Sequence, residues 1–181
     1  MRIVLLALTL SLSSGCGVFG SGTTGPSGGG GSGGGGGGNV HPADANMLHN
    51  LDALNRYRAA NGVAALVIDD QISAFSLTAS MELKKSNTAH AYFMQQAQSG
   101  AIWKEGFCNG AAENQAPNWP IPNGDIDQVV DAILKAMMDE GPGGGHHDNI
   151  LNSKMTRVGV GLYVDENTRL WFTNDFSGPC P

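Results

Sequence analysis

The chain has 181 residues, and its 16 acidic side chains outnumber its ten Lys and Arg residues, which gives a formal net charge of −6. This length is enough for a single domain of ordinary size. The basic residues are scattered, so the sequence provides no cationic surface for a phosphate backbone. We therefore expect no nucleic-acid partner.

Residues 1–16 have the pattern of an export signal. Arg2 precedes the apolar run IVLLALTL, which is too short to span a bilayer, and the segment ends in Ser-Ser-Gly-Cys. This ending resembles the lipobox of bacterial lipoproteins, although Ser13 stands where that pattern prefers leucine. We expect an exported protein of the cell envelope that is attached to a membrane by a lipid at Cys16. Ordinary secretion is the alternative.

Residues 17–40 consist almost entirely of Gly, Ser and Thr. Such a composition offers few side chains to bury and is typical of a flexible, disordered linker. We therefore place the folded domain at residues 41–181.

Three segments of the domain have the apolar spacing of amphipathic helices. The first spans about residues 44–61. The second begins near Asp69 or Asp70, whose carboxylates suit a helix amino terminus, and passes through Leu83. The third spans residues 125–138. Residues 91–112 have no strong period, and we expect a loop there with a helical turn around residues 92–98.

The carboxyl-terminal third predicts strands. Residues 157–164 and 169–176 have strand composition and are separated by a polar loop of hairpin length. A further strand is expected at residues 111–115. Helices that precede strands, without βαβ alternation, favour an α+β fold in which helices cover an antiparallel sheet.

The three cysteines divide into one candidate anchor, Cys16, and one candidate pair, Cys108 and Cys180. A bridge between the latter two would close a loop of about 70 residues and fix the carboxyl terminus. Two unpaired thiols are the alternative.

Four local signatures, taken in order over about residues 44–177, resemble the CAP superfamily of cysteine-rich secretory proteins, antigen five and pathogenesis-related proteins, in its bacterial branch. The signatures are Asn55-Arg56-Tyr57-Arg58, His90, Glu113-Asn114 and His146-His147-Asp148-Asn149-Ile150-Leu151, and they are followed by closing strands that contain Gly159-Val160-Gly161 and Trp171-Phe172-Thr173-Asn174-Asp175-Phe176. The resemblance implies a three-layer α-β-α sandwich with a mainly antiparallel sheet.

The resemblance also implies that two histidines and two glutamates converge in an open cleft. His90 and Glu113 match the first pair. His146 is selected over His147 by its spacing to Asn149. Glu140 matches the second acidic position, with Asp139 as the alternative, because Met137 occupies the place of the family's tryptophan.

Neutral imidazoles of His90 and His146 are suitable ligands for zinc or another divalent ion, and Glu113 and Glu140 would orient the rings. Two protein ligands are fewer than catalytic zinc normally has, so the ion should be weakly held. The alternative is that the four groups form an internal hydrogen-bonded network that joins the helices to the sheet.

We favour a noncatalytic domain whose cleft binds a lipid or protein ligand, as the resemblance implies. The alternative is a metal-assisted hydrolase in which Glu113 or Glu140 is the general base. The chain has no H-E-x-x-H helix and no nucleophile with a matched base. A stable domain with an inactive cleft is the third interpretation. Asn55 and Arg58 are interpreted as scaffold residues.

Overall fold

The structure, a computed structural model, describes the backbone of residues 42–181 and the side chains of residues 45–181. The predicted export signal, Cys16 and the linker therefore lie outside the described residues. The helices are α1 (Pro42–Ala60), α2 (Asp70–Ser86), α3 (Ala91–Ser99), α4 (Ile126–Met138) and α5 (Gly145–Ile150), and the strands are β1 (Val67–Ile68), β2 (Ala111–Pro120), β3 (Arg157–Val164) and β4 (Arg169–Ser177). Within the described residues, every helix is too short or too polar to cross a membrane.

The three predicted helices correspond to α1, α2 and α4. An acidic capping residue determines where α2 begins, and another determines where α4 begins. Asp69 accepts hydrogen bonds from the backbone N–H groups of Gln71 and Ile72. Asp125 accepts one from Gln128 in the same way. These carboxylates satisfy N–H groups that have no partner inside the helix.

The segment after α2 is more helical than expected. The predicted turn at residues 92–98 is part of α3, and a short 3₁₀ helix at Ala101–Lys104 follows it. Phe93 is the buried residue of α3. One buried position in nine is too few to produce a clear apolar period. The sequence pattern therefore predicts a loop over most of this segment, although the segment is helical.

The sheet has the strand order β1-β3-β4-β2. β4 pairs antiparallel with β3 and with β2, as the sequence predicts. The expectation of a mainly antiparallel sheet needs correction, because β1 pairs in parallel with the start of β3 and makes the sheet mixed. β1 has only two residues, which is too short for a strand pattern to be recognised.

Helices cover both faces of this sheet, so the predicted three-layer α+β sandwich is confirmed. On one face, α1, α4 and α5 enclose the larger core, which includes Leu54, Leu134 and Phe172. On the other, α2 and α3 pack around Phe75 and Phe93.

Two glycines of β3 let α2 lie directly on the sheet. A Cβ atom at Gly161 would lie 2.2 Å from the backbone of Ser76, and one at Gly159 would lie 2.4 Å from the backbone of Ile72. Any larger residue would separate the helix from the strand. The close approach buries the polar side chains that lie between α2 and β4.

The predicted disulfide is present. It joins Cys108, just before β2, to Cys180, 72 residues later, with their Cα atoms 5.0 Å apart. The bridge holds the carboxyl-terminal segment against the loop that leads into β2.

Arg58 is a fully buried cation at the end of α1. Its guanidinium donates to the carbonyl oxygens of Ala64 (2.7 Å), Ile150 (2.7 Å), Asn152 (3.1 Å) and Met155 (2.9 Å). The planar, five-donor guanidinium suits such a cluster of acceptors. Arg58 thereby joins α1 to the segment between α5 and β3, in keeping with its interpretation as a scaffold residue.

Candidate functional site

His90 and Glu113 form the first histidine–glutamate pair. His90 lies immediately before α3 in the left-handed region, with φ 63°, and its backbone N–H donates to Gln115 Oε1 at 2.7 Å. The ring Nδ1 lies 2.9 Å from Glu113 Oε1 on β2. Only 1% of the Glu113 side chain is exposed, against 26% of the His90 side chain. The imidazole therefore lies between a buried carboxyl group and the surface.

Burial favours the uncharged form of both His90 and Glu113. It lowers the pKa of His90, and it raises the pKa of Glu113 well above its ordinary value. A neutral His90 has one protonated and one unprotonated ring nitrogen. With Glu113 accepting from Nδ1–H, the lone pair is on Nε2.

His146 and Glu140 form the second pair. The ring Nδ1 lies 2.6 Å from Glu140 Oε1, and the backbone N–H of His146 donates to Glu140 Oε2 at 3.1 Å. Both oxygen atoms of Glu140 therefore face one residue. Gly144 provides the space, since a Cβ atom there would lie 2.5 Å from Glu140 Cβ.

The structure does not bring the alternative residues into this pair. Asp139 bonds to Lys135 on the exposed side of α4. His147 points its Nδ1 at its neighbour Asp148, at 2.9 Å. Of the alternatives that the sequence left open, Glu140 and His146 are the residues that meet.

The two pairs converge. The ring centroids of His90 and His146 are 6.4 Å apart, and the rings are inclined by 38°. His146 Nε2 and Glu113 Oε2 are both buried, and neither has a hydrogen-bond partner in the part of the chain that the structure describes. Among the described residues, no group of three or more His, Cys, Asp or Glu side chains is arranged to hold a metal ion. The geometry thus brings two imidazoles together, and within the described part of the chain no third His, Cys, Asp or Glu side chain joins them.

The pairs lie on opposite faces of β2, which is an edge strand of the described sheet. Glu113 and Gln115 face α2 and α3 and hold His90. Asn114 faces the other side, where its amide donates to His146 O at 3.1 Å. The alternation of side chains along one strand therefore supports both halves of the site.

Asn149 completes the support of His146, a role that the sequence did not predict for it or for Asn114. Its amide donates to Asn114 Oδ1 at 2.9 Å and to the carbonyl oxygen of Glu113 at 3.3 Å. Both asparagines stand inside the signatures quoted above. Asn114 directly follows Glu113, and Asn149 comes three residues after His146. These positions were the sequence signal from which their role could have been predicted.

Three solved structures similar to this chain are bacterial. An extracellular protein of Bacillus anthracis that contains an SCP domain matches with TM-score 0.56 and 25% identity over 78% of this chain and 45% of its own. An outer surface protein of Borrelia burgdorferi matches with TM-score 0.56 and 16% identity over 77% and 97%. The CAP domain of enterococcal PrgA matches with TM-score 0.55 and 18% identity over 76% and 63%.

Those likenesses establish the fold. The chain spans less than half of the Bacillus protein. No curated protein matches it at a significant level. The model of the cysteine-rich secretory protein family, CAP, matches residues 51–176, which is more than two thirds of the chain. The chain therefore belongs to the CAP family of cysteine-rich secretory proteins.

Proposed function

We propose that this CAP domain is exported and binds one divalent metal ion between His90 and His146. The observation that carries the proposal is the orientation of the two imidazoles. A glutamate faces the Nδ1 atom of each ring, which leaves the Nε2 atoms as the free ligand atoms. Carboxylates that orient metal-binding histidines in this way are common around zinc.

The chemistry of the residues fits such an ion. His146 Nε2 is buried and has no hydrogen-bond partner among the described residues, which is a costly arrangement unless something else binds it. Imidazole suits zinc and copper, and two protein ligands imply modest affinity. Once bound, the ion would supply a Lewis acid for an oxygen atom of a lipid headgroup or a protein side chain.

The same contacts support binding rather than hydrolysis. Glu113 is almost completely buried, so its carboxyl group cannot contact a solvent water. Both oxygen atoms of Glu140 accept from His146. A general base needs a free oxygen within hydrogen-bond distance of the water that it activates. In the arrangement described above, the free oxygen of Glu113 is buried, and each oxygen of Glu140 is already engaged by His146.

Three observations support export. Residues 1–16 have the pattern of an export signal, the Cys108–Cys180 disulfide suits an oxidising compartment, and the similar Bacillus protein is extracellular. A lipid on Cys16 would hold the domain at a membrane of the cell envelope. Mass spectrometry of the mature amino terminus tests this part, and an unmodified terminus would leave ordinary secretion.

Calorimetric titration of the full chain with Zn²⁺ and Cu²⁺ tests the metal site. We expect about one ion per chain and micromolar affinity or weaker, since the protein supplies two ligands. The double variant His90→Ala/His146→Ala should lose this uptake. Unchanged uptake in the double variant would reject the site.

His147→Ala is the matched control, because His147 is the neighbour of His146 on α5 and faces Asp148 instead of the site. It should bind the ion like the wild type. Loss of uptake in this variant would assign the ion to His147. A subsequent screen against phospholipid vesicles, with and without chelator, tests whether the ion supports lipid binding.

A further inference from the structure

Asp175 on β4 is a buried carboxyl group that the predicted tetrad does not include. It is fully buried and lies directly opposite Glu113 in the register of β2 and β4. Opposite residues of antiparallel strands have Cβ atoms about 4.5–5.5 Å apart on the same face. The two carboxyl groups are therefore neighbours between the sheet and α2.

Each carboxyl group has one partnered and one unpartnered oxygen. Glu113 Oε1 faces His90, and Asp175 Oδ2 lies 2.7 Å from Ser76 Oγ. Glu113 Oε2 and Asp175 Oδ1 are both buried and have no hydrogen-bond partner within residues 42–181. Two ionised carboxylates have no hydrogen to place between these oxygens, whereas a single carboxyl proton supplies one.

Ser76 is the neutral partner of the other oxygen of Asp175. Its hydroxyl oxygen lies within hydrogen-bond distance of two acceptors, Ile72 O at 2.9 Å and Asp175 Oδ2 at 2.7 Å. A hydroxyl group has only one hydrogen to donate. Whichever acceptor receives that hydrogen, the contact involves Asp175 Oδ2 only, so a carboxyl proton on Asp175 Oδ1 stays available to Glu113 Oε2.

The surroundings of Asp175 contain no opposite charge. Gly159 lies opposite it on β3, and α2 contributes the neutral Ser76. Among the described residues, no Lys or Arg forms an ion pair with it, and Arg157 bonds to Asp69. Tyr92 on α3 is a further ionisable neighbour. Burial, and then the charge of Glu113, raise the pKa of Asp175 well above its ordinary value.

We propose that Asp175 is a positioning residue: it keeps a proton at neutral pH and, through a carboxyl–carboxyl hydrogen bond, holds Glu113 against His90 Nδ1. Asp175 thereby fixes the tautomer of His90, whose Nε2 faces the cleft. The effect of Asp175 on ligand binding rests on the proposed metal site. The tautomer itself is a property of the protein alone.

Asparagine is the informative replacement. The amide that Asp175→Asn introduces has the shape of a protonated carboxyl group, with one donor and one acceptor end, and it cannot ionise. Asp175→Asn should therefore preserve the contact with Glu113. Asp175→Ala removes it and leaves the inner side of Glu113 without a partner.

Three measurements on the full chain test the proposal. Nitrogen-15 NMR of the His90 ring should show Nδ1–H as the single tautomer in the wild type and in Asp175→Asn, and a mixture in Asp175→Ala. Infrared spectroscopy at neutral pH should show a protonated-carboxyl band that Asp175→Asn loses or diminishes. Zinc affinity should fall roughly 10- to 100-fold in Asp175→Ala, as is usual when a partner of a metal ligand is lost.

Ser73→Ala is the matched control. Ser73 is buried in the same interface between α2 and the sheet, but its hydroxyl bonds to Val160 N and Asp69 O, away from Glu113. Its loss should lower stability without changing the His90 tautomer. A tautomer that shifts equally in Ser73→Ala would reduce Asp175 to a general packing role.

Two results would overturn the proposal: absence of the protonated-carboxyl band in the wild type, or a shift of the His90 tautomer in Asp175→Asn. Both remain measurable if Asp175→Ala does not fold. If the wild type binds no zinc, the proposed function fails, while the NMR and infrared results still decide the role of Asp175.

Discussion

Replacing Arg58 by methionine should lower the free energy of unfolding by about 4 kcal/mol. The guanidinium donates to four carbonyl oxygens from two segments of the chain, and it is fully buried. Each such bond contributes about 1 kcal/mol net, so the loss of four of them amounts to about 4 kcal/mol. Methionine keeps much of the apolar stem and leaves the carbonyl groups without donors.

Urea unfolding measures this change. Against a total stability of about 5–15 kcal/mol, the loss should move the midpoint far to lower urea with an unchanged slope. Arg56→Ala is the control, since Arg56 is exposed on the same helix and faces Asp131 at 3.5 Å. It should change stability by less than about 0.5 kcal/mol.

A loss of less than about 1.5 kcal/mol in Arg58→Met would refute the reasoning. It would mean that water replaces the guanidinium, or that the cost of burying the charge offsets most of its bonds. Burial does act against the charged form, since it lowers the pKa of Arg58. Arg58→Lys distinguishes charge from geometry, because an ammonium group has only three donors and lacks the planar fork.

Reducing the Cys108–Cys180 bridge should lower stability by roughly 4 kcal/mol for a loop of 72 residues; a thiol titration that finds both cysteines free in the native protein would contradict this. Gly144→Ala should displace Glu140, because the new Cβ would lie 2.5 Å from Glu140 Cβ; we expect zinc affinity to fall roughly tenfold in calorimetry, and unchanged affinity would show that the loop adapts. Burial raises the pKa of Asp175, so the folded state binds its proton more tightly than the unfolded state does. Its contribution is therefore fully present at acidic pH and declines as pH rises towards the folded pKa. The stability of the wild type relative to Asp175→Asn should fall as the pH rises above about 4, by up to about 1.4 kcal/mol per pH unit, and a difference that stays flat across pH in urea titrations would contradict the raised pKa.

Where the apolar pattern is strong, the sequence predicts the fold closely. The apolar stripe on α4 and the strand composition of β3 and β4 give bounds within one residue of those observed. The elements that the sequence did not predict correctly have only a weak pattern of apolar residues. β1 is two residues long, and β2 continues from the expected residues 111–115 to Pro120 through an irregularity between Ala116 and Trp119.

The candidate site was predictable in its residues but not in its contacts. His90, Glu113, Glu140 and His146 stand inside recognisable signatures, and the structure brings them together. Asp175 escaped prediction for a physical reason. β4 is buried on both faces, so its polar residues do not alternate with apolar ones in a way that indicates which side chain faces Glu113.

The position of β2 between the two helical layers has a mechanical consequence. One imidazole is anchored on the α2–α3 side of this edge strand and the other on the α4–α5 side. A ligand that binds both rings would therefore link the two helical layers across the β2 edge of the sheet. Binding of such a ligand should slow the amide hydrogen exchange of β2 more than that of the distant β1. Exchange in β2 would then reveal ligand binding even though the fold does not change.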